Sequence, residues 1–131
     1  DMTRTVAIGK ASDSMKYVYD TVLKAQTESM NMIKPGVRCN DVDAVARRII
    51  ADAGYGDCFG HGLGHSVGLF IHENPRFSPK CDDILKPGIV ITVEPGIYIP
   101  GQFGVRIEDL VVVTEDGYRN LTGSEKKLIE I

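Results

Sequence analysis

The order of elements written into this sequence predicts an α+β fold: a strand, two amphipathic helices, then a run of antiparallel strands. Three observations carry that expectation. Apolar residues recur at helical spacing between Met15 and Ala53, β-branched residues dominate the segments after Ile89, and glycine and proline punctuate the joints. No internal repeat, low-complexity tract or linker interrupts the 131 residues, so residues 1–131 are expected to form one unit.

The first element is a β-prone run from Met2 to Ile8 that stops at Gly9-Lys10. Ser12 or Asp13 then offers a side-chain oxygen to the free N–H groups of a helix whose apolar face is Met15, Val18, Val22, Ala25 and Met30. Lys34-Pro35-Gly36 closes that helix, and the Met30-Asn31-Met32 stretch reads as core filler. Asn40 is the expected cap of the second helix, which carries Val42, Val45, Ala46, Ile49, Ile50 and Ala53 and ends at Gly54. Both helices should lie on one face of a sheet.

Glycine and histidine dominate from Gly54 to Gly68, which predicts an irregular loop entering a strand near Val67 to His72. Pro75, Pro79 and Pro87 argue against any regular element between Glu73 and Gly88. Ile89 to Ile99 and Val105 to Thr114 read as two strands of a hairpin turning through Pro100 to Gly104. A tight turn at Glu115-Asp116-Gly117 leads to a short strand from Tyr118 to Leu121.

The composition, 43% hydrophobic and 25% charged, is that of an ordinary soluble globular protein. Its 15 Lys and Arg against 18 Asp and Glu give a formal charge of -3, which supplies no electrostatic footprint for nucleic acid or an anionic membrane, and neither is expected as a partner. No apolar run approaches the roughly 18 residues of a membrane span, and the start lacks the basic lead and apolar stretch of a signal peptide. Cys39, Cys58 and Cys81 are odd in number and widely spaced, so reduced thiols and a cytoplasmic location are expected. A strand-like start at Asp1 without an initiator methionine suggests a piece of a longer protein.

All three histidines, His61, His65 and His72, fall in the glycine-rich segment from Phe59 to Glu73. Such a concentration points to joint use. Period-two alternation puts Thr92 and Glu94 on one strand face, and Arg106 and Glu108 on one face of the partner strand, so a hairpin could aim both glutamates into one site. Two close carboxylates repel and ask for a proton, an arginine or a metal. The plain alternative is a pair of solvated strand glutamates, with Glu108 paired to Arg106. Imidazole with carboxylates suits zinc, manganese, cobalt or iron, with carboxylate-rich sites leaning to the harder ions. Gly60, Gly62, Gly64 and Gly68 allow close backbone approach to a substrate or metal.

The motifs His-Gly-Leu-Gly-His at His61 to His65, Val-Glu-Pro-Gly-Ile-Tyr at Val93 to Tyr98 and Val-Arg-Ile-Glu-Asp at Val105 to Asp109 resemble the metallopeptidases of the pita-bread fold. That family includes methionine aminopeptidase, aminopeptidase P and prolidase. The resemblance runs from Asp1-Met2-Thr3-Arg4-Thr5 through Asn40 to Arg47 and on to Gly117. The histidine at His61 and the Pro-Gly-Ile-Tyr after Glu94 look like the Xaa-Pro branch rather than methionine aminopeptidase.

The resemblance implies that Asp1, His65, Glu94 and Glu108 are metal ligands, that His61, His72 and Glu94 act on substrate and proton, and that Arg106 and Tyr98 orient the carboxylates. It implies two divalent ions in the parent protein, manganese first with cobalt or zinc as alternatives, and one or none in this chain alone. It further implies hydrolysis of peptides with proline at the second position by a homo-oligomeric parent. The family's first ligand aspartate and the first half of its domain have no counterpart here, so the chain is expected to be the C-terminal part of a catalytic domain and inactive alone. A non-catalytic pita-bread binding module, methionine aminopeptidase-type activity and a metal-free creatinase-type hydrolase are the competing readings.

Overall fold

In the computed structural model, which describes residues 1–131, Ser12 caps the first helix as its sequence predicts: its hydroxyl accepts the Met15 N–H at 3.2 Å. This helix, α1, spans Asp13–Asn31 and buries Val18, Tyr19, Val22, Ala25, Gln26 and Met30. The second, α2, spans Cys39–Asp52 and buries Val42, Ala46 and Ile50 against the first. Its cap is Arg38, not Asn40, and no side chain does the capping. The Cys39 N–H instead donates to the Asp83 carbonyl at 2.9 Å, because residues 83 to 85 run as an extended partner beside residues 36 to 39.

Burial has a chemical consequence at Cys39, which is 0% exposed. Desolvation, reinforced by neighbouring Cys81 and Asp83, pushes its thiol from 9.0 up to about 12. The thiolate is the reactive form. Native protein at pH 8 should therefore alkylate at the half-buried Cys58 and Cys81 well before Cys39, and denaturant should equalise the rates. Because the folded pKa is the higher one, this contribution to stability is complete below pH 9 and is lost as the pH rises toward 12. Equal native labelling rates would contradict the burial.

The strands are β1 (Val6–Ala7), β2 (Gly64–Ser66), β3 (Glu73–Phe77), β4 (Val90–Val93), β5 (Gly96–Ile99), β6 (Phe103–Arg106), β7 (Asp109–Val113), β8 (Tyr118–Asn120) and β9 (Ile129–Glu130). Five of them form an antiparallel sheet in the order β3-β2-β4-β7-β8, β5 and β6 form a hairpin, and β1 pairs with β9 in parallel. Helix α1 packs on α2 and on strands β4 to β6, and the apolar core lies between helices and sheet.

Four expectations change. The strand from Met2 to Ile8 shrinks to Val6–Ala7 and a bridge from Thr3 to Glu108, because the Thr5 hydroxyl bonds the Arg106 backbone where a ladder would continue. The strand expected at Val67 to His72 lies earlier, at Gly64–Ser66, and Leu69, Phe70 and Ile71 are exposed. Gly64 explains the shift, since a Cβ there would overlap the Thr92 carbonyl oxygen. Residues Glu73–Phe77 form a strand despite Pro75, which is tolerated because β3 is an edge strand. The two long strands of the expected hairpin are each interrupted, at residues 94–95 and 107–108.

Candidate metal centre

Both site glutamates sit in that interruption. Val93 pairs with Asp109 and Gly96 with Arg106, so the register runs straight through the gap and sets Glu94 opposite Glu108. The Glu94 N–H leaves the ladder and donates to the Leu63 carbonyl at 2.7 Å, while Glu108 N–H donates to the Thr3 carbonyl at 3.0 Å. Like charges directly opposite on a sheet destabilise it. The pair therefore needs a compensating group.

His65, in the middle of β2 and 8% exposed, enters from the neighbouring strand. Its Nε2 lies 3.3 Å from Glu94 Oε1 and 3.6 Å from Asp1 Oδ2. Asp1, His65 and Glu108 each bring a ligand atom into a group whose members all lie within 4.8 Å. All four residues expected as ligands thus converge. The Thr92 hydroxyl accepts the His65 N–H at 3.0 Å and donates to Glu94 Oε1 at 3.0 Å, fixing both. His65 Nδ1 faces the Ser66 carbonyl at 3.2 Å, which leaves Nε2 for the carboxylates or an ion.

This donor set fits a divalent metal. Glu108 is 4% exposed, yet its carboxylate receives one hydroxyl donor, Thr3, and no ion pair. A buried carboxylate so sparsely satisfied is costly unless a cation completes it. One imidazole with three carboxylates suits manganese, cobalt, iron or zinc.

Arg106 does not pair with Glu108, which corrects the plain alternative. Its guanidinium donates to Tyr98 Oη at 3.2 Å and to Thr3 Oγ1 at 3.2 Å, and so reaches Glu108 only through the threonine. The bond to Tyr98 raises the Arg106 pKa against the opposing effect of burial, and Glu94 and Glu108 add to the rise. Tyr98 in turn meets His61 Nε2 at 2.8 Å, and His61 Nδ1 meets the Gly62 carbonyl at 2.8 Å. In the tautomer that satisfies both contacts, Tyr98 donates to Nε2 and Nδ1–H donates to Gly62. His61 is thus tied to Tyr98 and Arg106 rather than to the ligands. His72 is exposed, and its ring lies edge-on to His65 with centroids 4.3 Å apart.

Over these groups opens a cleft of ≈ 340 Å³ without a hydrophobic side chain in its lining. His61, His65, His72, Glu94 and Arg106 face it, and so does Arg76, which the sequence reading missed. Two more supports went unseen. Arg47 clasps Asp43 at 2.8 and 2.9 Å and donates to the carbonyls of Phe59 and His61, while Asp43 accepts the Leu63 N–H at 3.0 Å. Helix α2 therefore pins the loop from Phe59 to Leu63 at both ends. An acid and an arginine four apart on a helix were the available signal, although such pairs are commonly solvated.

Comparison with known proteins agrees with this geometry. A sequence model of metallopeptidase family M24 matches residues 1–115. An Xaa-Pro dipeptidase of Pyrococcus furiosus is 49% identical over 129 residues, covering 98% of this chain and 37% of that protein. Among solved structures, the prolidase of Pyrococcus horikoshii OT3 superposes with a TM-score of 0.96 at 47% identity, over 98% of this chain and 37% of the other. The X-Pro aminopeptidase of Thermotoga maritima gives 0.96 at 45% identity, over 100% and 37%. The chain spans about 37% of the length of these relatives.

Proposed function

Since the chain belongs to metallopeptidase family M24, we propose that it forms the C-terminal part of a catalytic domain, residues 1–131, in a protein that hydrolyses the peptide bond preceding proline. The observation that carries this reading is the convergence of Asp1, His65, Glu94 and Glu108 beneath a polar cleft. The names of the relatives, Xaa-Pro dipeptidase, prolidase and X-Pro aminopeptidase, support the substrate class.

Asp1, His65, Glu94 and Glu108 would hold divalent ions, manganese first with cobalt or zinc as alternatives. When bound, such ions act as Lewis acids that polarise the scissile carbonyl and acidify water. Glu94, held by Thr92 beside His65, would take a proton from the attacking water and return it to the prolyl nitrogen that leaves. His61, steadied by Tyr98 and Arg106, and His72 at the open side of the cleft orient the peptide. Further ligands and the facing wall of the cleft come from the rest of the parent protein. The odd, widely spaced cysteines support a cytoplasmic setting, and no helix is long and apolar enough to cross a membrane. The reading extends to a homo-oligomeric parent, which sedimentation would check.

The test is a substrate series on the parent polypeptide with manganese. Xaa-Pro peptides should be cleaved, the matching Xaa-Ala peptides should not, and residues 1–131 alone should show negligible turnover. Equal cleavage of both series, or full activity of residues 1–131, would overturn the reading. A dipeptide-only profile separates the dipeptidase from the longer-peptide aminopeptidase.

A further inference from the structure

We propose that Gln26 is a positioning residue that holds the interrupted hairpin open where Glu94 and Glu108 enter the site. The inference rests on the metal-site reading above and concerns a residue on α1, outside every motif. Gln26 is 0% exposed, in the middle of α1, where a side chain without polar atoms would pack more simply. Its Nε2 lies 3.2 Å from the Val93 carbonyl and 3.2 Å from the Ile107 carbonyl. Those are the residues immediately before Glu94 and Glu108.

The register explains the need. With Val93 opposite Asp109 and Gly96 opposite Arg106, Pro95 falls opposite Ile107. Proline has no N–H to give, so the Ile107 carbonyl loses the donor that an antiparallel ladder would supply. Gln26 supplies it from the helix, and its second amide hydrogen takes the Val93 carbonyl on the other strand. One side-chain amide thus bridges both strands across the gap. Its Oε1 is held in turn by Lys126 Nζ at 2.9 Å, and Lys126 is paired with the buried Asp109. The orientation of the amide is therefore fixed: oxygen toward Lys126, nitrogen toward the carbonyls.

The experiment compares Gln26→Met, which keeps the volume and removes both donors, with Val22→Ala, which opens a cavity in the same buried face of α1 and removes no hydrogen-bonding group. Hydrogen exchange of the ion-free parent polypeptide is read at Glu94, Ile107 and Glu108 against Ile91 and Val111 in the ladder. In Gln26→Met the three gap amides should exchange at least about tenfold faster relative to the ladder, because both amide donors are lost. Cobalt titration of the same protein should show affinity weakened by about tenfold and an altered visible spectrum of the bound ion. Val22→Ala should leave the ratio of gap to ladder exchange, and the cobalt affinity, unchanged. Gln26→Asn keeps the amide but shortens its reach, and replaces Gln26→Met should that variant not fold. An unchanged exchange ratio in the Gln26 variants, or the same local loosening in Val22→Ala, would overturn the proposal. Wild-type parent polypeptide that takes up no cobalt would sink the metal-site reading instead, and the exchange comparison would still decide the role of Gln26.

Discussion

Replacing His65 by alanine should weaken divalent-ion binding by at least about a hundredfold, beyond the ten- to hundredfold typical of residues that only orient ligands. The reason is geometric: His65 Nε2 is the one nitrogen donor in the group, 3.3 Å from Glu94 and 3.6 Å from Asp1. Without it three carboxylates face one another with no imidazole between them. Fold stability of the ion-free protein should change much less, because the imidazole's partners are those same ligands and the Ser66 carbonyl. Calorimetric titration with manganese checks the first statement and urea unfolding the second. Affinity within a factor of about three of wild type would remove His65 from the centre.

The second large effect is expected at Asp109, the residue after Glu108 and the register partner of Val93. This carboxylate is 0% exposed and holds Arg4 at 2.7 Å, Asn120 at 2.7 Å and the Lys126 ammonium. Arg4 also donates to the Thr3 and Glu108 carbonyls and to those of Ser124 and Glu125. Asp109 is thereby the joint between β7, the N-terminal segment before β1 and the C-terminal segment. Asp109→Ala would leave Arg4 and Lys126 without their shared counter-charge, and removing one partner of a buried pair costs about 3–5 kcal/mol. Denaturant unfolding should show a loss of that size, whereas the exposed pair of Lys16 with Glu130, 3.6 Å apart, should contribute little. A loss below about 1 kcal/mol would mean that the cluster is not a joint.

The grouping of the candidate ligands could be anticipated from the sequence because they lie in short, distinctive motifs. His65, Glu94 and Glu108 come together as expected, and Asp1 joins them. The helices were equally legible, since Val18, Val22, Ala46 and Ile50 repeat with helical period and are all fully buried. What escaped has local physical causes. Val67 to Ile71 has the composition of a strand, but Leu69 is 102% exposed and the strand belongs to Gly64-His65-Ser66, which has little intrinsic preference for it. The close approach allowed by Gly64 outweighs propensity there.

The interruption of the long hairpin was hidden for a different reason. Pro95 marks one strand, but the group that takes over the orphaned carbonyl, Gln26, lies on a helix 67 and 81 residues away from its two partners. Local pattern carries no trace of such a contact. The same holds for Asp43 and Arg47, whose pairing is visible as a helical spacing of four while its purpose, anchoring the segment before His65, is not. Arg76 was missed because it sits in β3, where prolines argued against structure.

Anomalous diffraction from manganese-soaked crystals tests the central claim most directly. In crystals of the parent polypeptide a peak is expected between His65 Nε2 and the carboxylates of Asp1 and Glu108, beside Glu94. No peak at that position, or one held by residues outside this group, would contradict it.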